Sequence, residues 1–242
     1  MLDKNNRAFV NHVQGLFDPK LLDTLRNNFI MLENRQAPSN ISEREKHALE
    51  RGEATDSMRM QEAWYDVWKH ATSESLLLSS LAPYTWVSYP VQVRHVRKAH
   101  HHVPWHQDIG YMRLLGNRGH QQVITCFIPL EPEPAKCTTI QYALDNIKAD
   151  PTKEYPHIPL EGFGAGIENQ DFNEVQHFDL NLGDALVFGD FTLHRTFLPE
   201  GCQINRRSLE FRLIMPSSAL NNKDYFDIEH QKFIKTKNLA VV

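Results

Sequence analysis

The residues that follow Pro83 form a series of short apolar runs, each too short for a typical helix. The runs are rich in β-branched and aromatic residues, and proline, glycine or charged turns separate one from the next. Few helical patterns lie between them, which is typical of an antiparallel barrel or sandwich rather than a parallel sheet with crossover helices. The predicted strands cover 86–89, 91–96, 123–128, 138–142, 185–188 and 208–215.

The first 82 residues predict a helical support for this β structure. A weak alternation at 9–13 predicts one short strand, and Asp18 followed by Pro19 is typical of an N-cap and the first residue of a helix. A second helix is predicted over 60–70. The polar segment 35–57 predicts a solvated helix or loop, with a mobile flap as the alternative.

We predict that residues 1–242 form a single domain, in keeping with the length of the chain. The barrel is expected at about 83–216, and residues 217–242 are expected to be a C-terminal tail. A long loop is predicted at about 145–175, and loops of that length often cover a binding site. Its glycine-rich stretch, 162–166, lacks the strand-to-helix context of a phosphate-binding loop and favours a flexible lid.

Composition narrows the classes of partner. The formal net charge is -4, and no basic block is longer than Arg97-Lys98, so nucleic acid is not an expected partner. No apolar run has the length of a membrane span, and the first residues lack the apolar core of a signal peptide. Three cysteines without paired spacing fit a reducing, cytoplasmic setting. Nothing in the sequence indicates an oligomeric state.

Two histidines and one aspartate are candidate metal ligands: His106 and Asp108, two positions apart, and His194. On one strand, the first two side chains would point to the same face. A two-histidine, one-carboxylate set leaves open coordination positions on iron(II), as in non-heme oxygenases. Because the chain has 13 histidines, a His-x-Asp pair alone is weak support for a metal site.

A second pair, His177 and Asp179, competes with the first. Only 15 positions separate Asp179 from His194, against 88 between His106 and His194. The short spacing leaves no room for a barrel wall around an ion, so we favour the first pair. The segment 183–194 supports His194 as the third ligand, because it reads as a turn, a buried strand and a tight bend that ends on the histidine.

The sequence resembles the phytanoyl-CoA dioxygenase family in three patches: Trp-His-Gln-Asp at 105–108, Gly-Asp-Ala-Leu-Val-Phe through Leu-His at 183–194, and Val-Gln-Gly-Leu-Phe-Asp-Pro at 13–19. The resemblance implies a double-stranded β-helix, a jelly-roll or cupin-like barrel, with iron(II) as cofactor and 2-oxoglutarate and O2 as cosubstrates. The chain departs from the family pattern at 136–138 and 142–146, where members shape substrate contacts, so the resemblance does not indicate a substrate.

The resemblance also implies an arginine, on the strand after the second histidine, that pairs with the distal carboxylate of 2-oxoglutarate. Arg206, Arg207 and Arg212 are the candidates. By strand alternation, Arg206, Arg212, Ser208 and Glu210 share one face, and the opposite face is apolar apart from Arg207. Because helices should pack on the apolar face, Arg206 is favoured, with Arg207 as the alternative. Ser208 and Thr196 are candidate hydroxyl partners of the same carboxylate.

We therefore expect an iron(II)- and 2-oxoglutarate-dependent dioxygenase that hydroxylates an unactivated C–H bond of a small polar metabolite, with succinate and CO2 as coproducts. Asp108 disfavours the halogenating variants of the superfamily, which lack that carboxylate, whereas desaturation and ring closure stay open. The alternatives are a catalytically silent binding barrel and a cupin-like metal enzyme that does not use 2-oxoglutarate.

Arginine and lysine residues near the first ligand pair give a weak preference for an anionic or polar substrate: Arg94, Arg97, Lys98 and Arg113. The run 100–102 contains three adjacent histidines, which on a strand could not all face one ion. We expect them to be solvated. Gln92 and Arg94, on an alternating strand, are expected either to line the pocket or to be polar residues of a sheet edge.

Overall fold

A nine-stranded antiparallel sheet is the main feature of the computed structural model of this chain. The structure describes residues 7–33, 53–54, 84–89, 92–96, 102–110, 122–160, 164–167, 172–202, 205–218, 224–230 and 232–235. The predicted helix at 60–70, and all of 35–57 except 53–54, lie outside these residues.

The large sheet has the strand order β1-β10-β5-β12-β3-β13-β14, and β4 pairs with both β12 and β2. Its longest strand, β12, pairs with β5 along one edge and with β4 and β3 along the other. The strands are β1 (Val10–Val13), β2 (Glu53–Ala54), β3 (Trp86–Tyr89), β4 (Gln92–Val96), β5 (Val123–Pro129), β10 (Ala185–Gly189), β12 (Arg206–Ile214), β13 (Asp224–Asp227) and β14 (Lys232–Lys235).

A smaller sheet has the order β11-β6-β9, and a separate hairpin pairs β7 with β8. The bounds are β6 (Thr139–Ala143), β7 (Ile158–Leu160), β8 (Gly164–Gly166), β9 (Val175–His177) and β11 (His194–Phe197). The two sheets pack through one apolar cluster, in which Phe127, Leu186 and Phe188 from the large sheet meet Ile140 and Tyr142 from the small one. The inside of the protein therefore lies between these two sheets.

The opposite face of the large sheet packs against helix α1 (Pro19–Glu33). Leu22 and Leu25 from α1 join Leu209, Phe211 and Leu213 from β12 in one buried cluster. The expected alternation of β12 is thus confirmed: its apolar side chains face the helix, which leaves the even-numbered positions 206–212 for the interior.

The start of α1 is also confirmed. The Asp18 carboxylate accepts a 2.9 Å hydrogen bond from the Lys20 backbone N–H, and the Asp18 carbonyl accepts from Leu22 N–H at 3.2 Å. Proline at position 19 occupies the first helical position, where no N–H is needed. The helix therefore begins where the sequence predicts it.

The fold class is confirmed as mainly β with a supporting helix, but the structures predicted for two segments, 145–175 and 217–242, are wrong. The segment 145–175 is not an open loop, because it contains most of helix α2 (Leu144–Ala149) and the β7–β8 hairpin. The hairpin includes Gly164 and Gly166 of the expected lid. The sequence does not predict this helix and hairpin, because the stretches Pro-Thr-Lys and Pro-Leu-Glu carry no clear period of 2 or 3.6.

Residues 217–242 are not simply a tail, since β13 and β14 extend the large sheet beyond β3. Tyr225 and Phe226 are buried there, at 0% and 2% exposure, which explains why this short segment joins the sheet. Two four-residue strands are near the lower limit at which alternation can be recognised. Among the described residues, no helix is both long enough and apolar enough to cross a membrane.

Candidate metal centre

The structure brings His106, Asp108 and His194 together inside the barrel. One potential ligand atom from each residue lies within 4.8 Å of the others. All three side chains are buried, with relative exposures of 8%, 3% and 6%. No other group of three or more potential ligands meets this test among the described residues. The set contains the two imidazoles and one carboxylate that a facial iron site requires.

The backbone holds the two histidines next to each other. His106 N–H donates to the His194 carbonyl at 3.0 Å, and His194 N–H donates to the His106 carbonyl at 3.0 Å. This isolated antiparallel bridge places the ring centroids 4.1 Å apart. Residues 88 positions apart in the sequence are thereby fixed face to face.

Backbone carbonyls set the tautomer of both imidazoles. His106 Nδ1 lies 2.9 Å from the Pro104 carbonyl, and His194 Nδ1 lies 2.8 Å from the Thr192 carbonyl. Because a carbonyl can only accept, each Nδ1 carries the proton and each Nε2 keeps its lone pair. This arrangement prepares Nε2 of both rings for a metal ion.

Asp108 does not share a strand with His106, contrary to the expectation. The chain leaves the sheet after the single bridge at His106 and is helical over 108–110. Ile109 N–H then donates to the Asp190 carbonyl at 3.1 Å, which ties this turn to the segment that precedes His194. A tight turn brings the carboxylate to the histidines, a geometry that two-residue spacing alone does not predict.

Both oxygens of the Asp108 carboxylate have a donor nearby. Thr125 Oγ1 donates to Oδ2 at 2.5 Å, and Arg212 Nη2 lies 3.3 Å from Oδ1. Thr125 and Arg212 are opposite each other in the register of β5 and β12. Side chains from β5 and β12 of the large sheet therefore orient the carboxylate.

Charge and burial keep the three groups in their ligating forms. Burial alone would raise the pKa of Asp108, but Arg212, the two histidines and the Thr125 hydroxyl lower it below its ordinary value. Burial lowers the pKa of His106 and of His194, so both rings are neutral. An ionised carboxylate and two neutral imidazoles are the forms that bind a metal.

A cavity extends from the histidines along the inner wall of β12. Arg206 lines it and is 3% exposed, yet its Nε and Nη1 have no hydrogen-bond partner among the described residues. Burial lowers the pKa of Arg206 to about 10. The Ser208 hydroxyl, which is fully buried two positions along the strand, is also without a partner there. Thr196 lines the same cavity from β11.

The other two candidate arginines have different surroundings. Arg207 Nη1 lies 2.8 Å from the Glu131 carboxylate, and neither residue lines this cavity. Arg212 lines the cavity but is close to Asp108 and lies 4.0 Å from Glu210. Arg94 also lines the cavity, with its Nε 3.2 Å from Glu210.

The competing pair lies elsewhere. The His177 and Asp179 side chains are 37% and 86% exposed, with their closest charged atoms 4.0 Å apart, and they do not join the cluster around His194. Of the three adjacent histidines only His102 is described, and Arg97, Lys98 and Arg113 lie outside the described residues.

Sequence reasoning missed several residues of this site. It gave no role to Thr125 or to the contact between Arg212 and Asp108, although the alternation of β5 and β12 could have suggested both. It also missed Tyr142, whose hydroxyl is buried without a partner among the described residues. Tyr142 lies opposite His194 in the register of β6 and β11.

Comparison with solved structures agrees with this architecture. The chain is similar to EvdO2 from Micromonospora carbonacea var. aurantiaca, one structure of which is complexed with 2-oxoglutarate, with a TM-score of 0.59, 15% identity and coverage of 89% of this chain and 91% of EvdO2. It is also similar to the epimerase SnoN in complex with Fe3+, alpha ketoglutarate and nogalamycin RO, with a TM-score of 0.57, 13% identity and coverage of 86% and 79%.

The non-heme alpha ketoglutarate dependent carbocyclase SnoK from nogalamycin biosynthesis is a third similar structure, with a TM-score of 0.54, 12% identity and coverage of 88% and 84%. At these identities the likeness establishes the fold. No protein-family model matches the chain, and no curated protein does. The phytanoyl-CoA dioxygenase family therefore stays a resemblance, within a fold that the chain has in common with EvdO2, SnoN and SnoK.

Proposed function

We propose that this chain is an iron(II)- and 2-oxoglutarate-dependent oxygenase. One observation carries the proposal: three buried ligands converge, and two of them, His106 and His194, line a cavity together with a buried arginine whose Nε and Nη1 have no hydrogen-bond partner among the described residues. The first feature suits a metal ion, and the second suits an anion. EvdO2 and SnoN, which have this fold, were solved with 2-oxoglutarate or alpha ketoglutarate bound.

In this proposal His106, Asp108 and His194 hold iron(II). Their Nε2 atoms and the carboxylate are preorganised by backbone carbonyls, Thr125 and Arg212. Bound iron would supply the activation of O2 that no side chain can provide. The protein's part is to fix three ligands on one side of the ion and leave the other side for small molecules.

The distal carboxylate of 2-oxoglutarate would bind Arg206. A buried guanidinium with unused donors is unfavourable unless an acceptor enters the site. A carboxylate would pair with Nε and Nη1 and could accept from the Ser208 or Thr196 hydroxyl. Arg207, already paired with Glu131, is therefore the weaker candidate.

Apolar side chains would limit water around the reacting groups. Val103, Ile140 and Phe188 line the cavity beside the histidines. They would keep bulk solvent from the metal-bound cosubstrate while the ligands hold the ion in place. The chain would thus position one C–H bond of the substrate and protect it from competing reactions.

For the outcome, we propose hydroxylation of a small polar metabolite, with release of succinate and CO2. The epimerase SnoN and the carbocyclase SnoK carry the same kind of fold, so other outcomes are compatible with it. A cytoplasmic setting fits cysteines that are buried and form no disulfide, namely Cys126, Cys137 and Cys202.

The test is an anaerobic titration followed by a turnover assay. Wild-type protein with Fe(II) should develop a weak visible absorption band when 2-oxoglutarate is added, and with O2 it should release succinate in a screen of amino acids, nucleoside or sugar derivatives and acyl thioesters. Arg206→Leu should weaken 2-oxoglutarate binding by at least about 30-fold, as expected when a buried charge pair is lost. Arg207→Leu is the matched control and should bind 2-oxoglutarate normally.

Two results would contradict the proposal. Absence of the absorption band in the wild type would contradict the use of 2-oxoglutarate: with no Fe(II) binding it would favour the silent binding barrel, and with Fe(II) binding it would favour a cupin-like enzyme that does not use this cosubstrate. Equal 2-oxoglutarate affinity in Arg206→Leu and the wild type would contradict the assignment of Arg206 as the partner of the distal carboxylate.

A further inference from the structure

We infer that Gln107 is a positioning residue that holds the ligand turn, residues 106–110, which carries two of the three metal ligands. This inference rests on the proposed function, because it concerns the same site. Gln107 lies between His106 and Asp108 in the sequence and is completely buried, at 0% exposure. Its side chain does not line the cavity and its amide bonds to backbone groups, so it acts on the site through its neighbours.

The Gln107 amide makes three hydrogen bonds to the backbone. Nε2 donates to the Lys153 carbonyl at 2.8 Å and to the Phe191 carbonyl at 2.6 Å. Oε1 accepts from Tyr155 N–H at 2.8 Å. The backbone N–H of Gln107 donates to His157 Nε2 at 2.9 Å. One residue therefore connects the ligand turn with two separate segments of chain.

The ligand turn has few other constraints of its own. Within the described residues, the backbone of the turn pairs with a strand only at the His106 bridge, and the Asp108 backbone has already left the extended conformation. The Asp108 side chain is held separately by Thr125 and Arg212. Beyond that bridge, Ile109 N–H donates to Asp190 and Gly110 N–H donates to the Gln107 carbonyl. The three amide bonds of Gln107 therefore add to the constraints on the backbone from which His106 and Asp108 project.

The same amide reaches the segment that supplies the third ligand. Phe191 precedes His194 by three positions, and its carbonyl accepts from Gln107 Nε2. Gln107 therefore links both halves of the metal centre with residues 153–155. Without the amide, the Phe191 carbonyl and the Tyr155 N–H would lose the partner of a buried hydrogen bond, and such groups are costly to leave unpaired.

The experiment compares Gln107→Met with Gln141→Met. Gln141 is also a buried glutamine, at 6% exposure, but its amide oxygen accepts from Arg195 Nε on β11 and does not contact the ligand turn. Co(II) is the probe, and both its affinity and its visible absorption spectrum are measured. Loss of an outer partner of a metal site typically costs about 10- to 100-fold in affinity. We expect that loss and an altered spectrum for Gln107→Met, and wild-type behaviour for Gln141→Met.

A second readout does not depend on metal. In the metal-free protein, Gln107→Met should speed hydrogen exchange at the Tyr155 amide, which loses its acceptor, while exchange in β12 stays unchanged. If Gln107→Met does not fold, His157→Ala serves instead. It removes the acceptor of the Gln107 backbone N–H and the 2.7 Å contact of His157 Nδ1 with the Tyr155 carbonyl but keeps the Gln107 amide, and a smaller loss of Co(II) affinity is expected.

The outcomes separate this inference from the proposed function. If the wild type does not bind Co(II), the proposed function fails and this inference fails with it. If the wild type binds Co(II) and Gln107→Met binds it with the same affinity and spectrum, only the role of Gln107 is refuted. Equal losses in Gln107→Met and Gln141→Met would also refute it, because a general effect of removing a buried amide would then explain both.

Discussion

Arg212 Nη2 lies 3.3 Å from Oδ1 of Asp108, on the side of the carboxylate opposite the Thr125 contact. We predict that Arg212→Met weakens metal binding by about 10-fold or more, because the carboxylate loses both an orienting donor and a cation that favours its ionised form. A chelator competition with Co(II) would measure the change.

Arg207→Met is the matched control for Arg212→Met. Both arginines lie on β12, but Arg207 pairs with Glu131 at 2.8 Å and does not line the cavity. Its replacement should leave metal affinity unchanged. Equal affinities for the two variants would show that the contact with Asp108 has no part in metal binding.

We expect the buried guanidinium of Arg206 to lower the free energy of unfolding of the protein when 2-oxoglutarate is absent. Its Nε and Nη1 are buried and unpartnered among the described residues. We predict that Arg206→Leu raises the free energy of unfolding of the ligand-free protein by about 1–3 kcal/mol, because leaving such groups unpaired costs about that much. Urea unfolding in the absence of metal and 2-oxoglutarate measures this change.

Arg207→Leu is the comparison for the effect of Arg206→Leu on stability. Arg207→Leu should lower the free energy of unfolding, since it breaks the ion pair with a buried carboxylate, Glu131. Opposite signs for neighbouring arginines would indicate that Arg206 is kept for a ligand. A clear loss of stability in Arg206→Leu would contradict this explanation.

The Tyr142 hydroxyl is a second buried group that we expect to contribute to 2-oxoglutarate binding. Its hydroxyl is buried without a partner among the described residues, and burial, together with Glu210, raises the pKa of Tyr142 well above its ordinary value. The neutral hydroxyl could therefore donate to the carboxylate that Arg206 is proposed to bind. We predict that Tyr142→Phe lowers 2-oxoglutarate affinity by about 5- to 10-fold, the effect of one hydrogen bond.

Anaerobic titration of Tyr142→Phe with Fe(II) and 2-oxoglutarate measures that affinity, and Tyr84→Phe is its control. The Tyr84 hydroxyl already donates to Gln122 at 2.8 Å. Tyr84→Phe should therefore be the less stable of the two variants, with normal 2-oxoglutarate binding. Unchanged binding in Tyr142→Phe would exclude a direct role for its hydroxyl.

The sequence predicts those parts of the fold that depend on local patterns. Short β-branched and aromatic runs between turn residues identify six of the strands, and Asp18-Pro19 identifies the start of α1, because composition, turn signals and capping act within a few residues. Alternation along β12 places Arg206 and Leu209 on opposite faces of that strand, as the structure has them.

What the sequence could not predict depends on contacts between distant segments. The helical turn at Asp108 is fixed by Asp190 and Phe191, which lie more than 80 positions away. The unpartnered state of the Tyr142 hydroxyl likewise follows from the packing of two sheets. Neither feature has a local pattern, so both required the structure.

Asp184 explains the Gly-Asp pair at the start of the 183–194 segment. One of its oxygens accepts from Gly15 N–H at 2.9 Å, and the other accepts from Asn181 N–H at 2.9 Å and lies 2.9 Å from His12 Nε2. These contacts outweigh the effect of burial and lower the pKa of Asp184. The carboxylate thereby joins the turn after β1 to the turn before β10.

The lowered pKa of Asp184 has a defined consequence for acid stability. A carboxyl group whose pKa is lower in the folded state adds stability above its unfolded value of about 3.9, and that contribution disappears as the pH falls through the folded value. We predict that Asp184→Asn lowers the free energy of unfolding near neutral pH by about 1–3 kcal/mol and makes its decline between about pH 5 and pH 2 shallower. Urea unfolding at a series of pH values measures both effects. Asp179→Asn, at a carboxylate that is 86% exposed, should leave the wild-type profile nearly unchanged, and an equally steep acid decline in Asp184→Asn would show that Asp184 does not contribute to it.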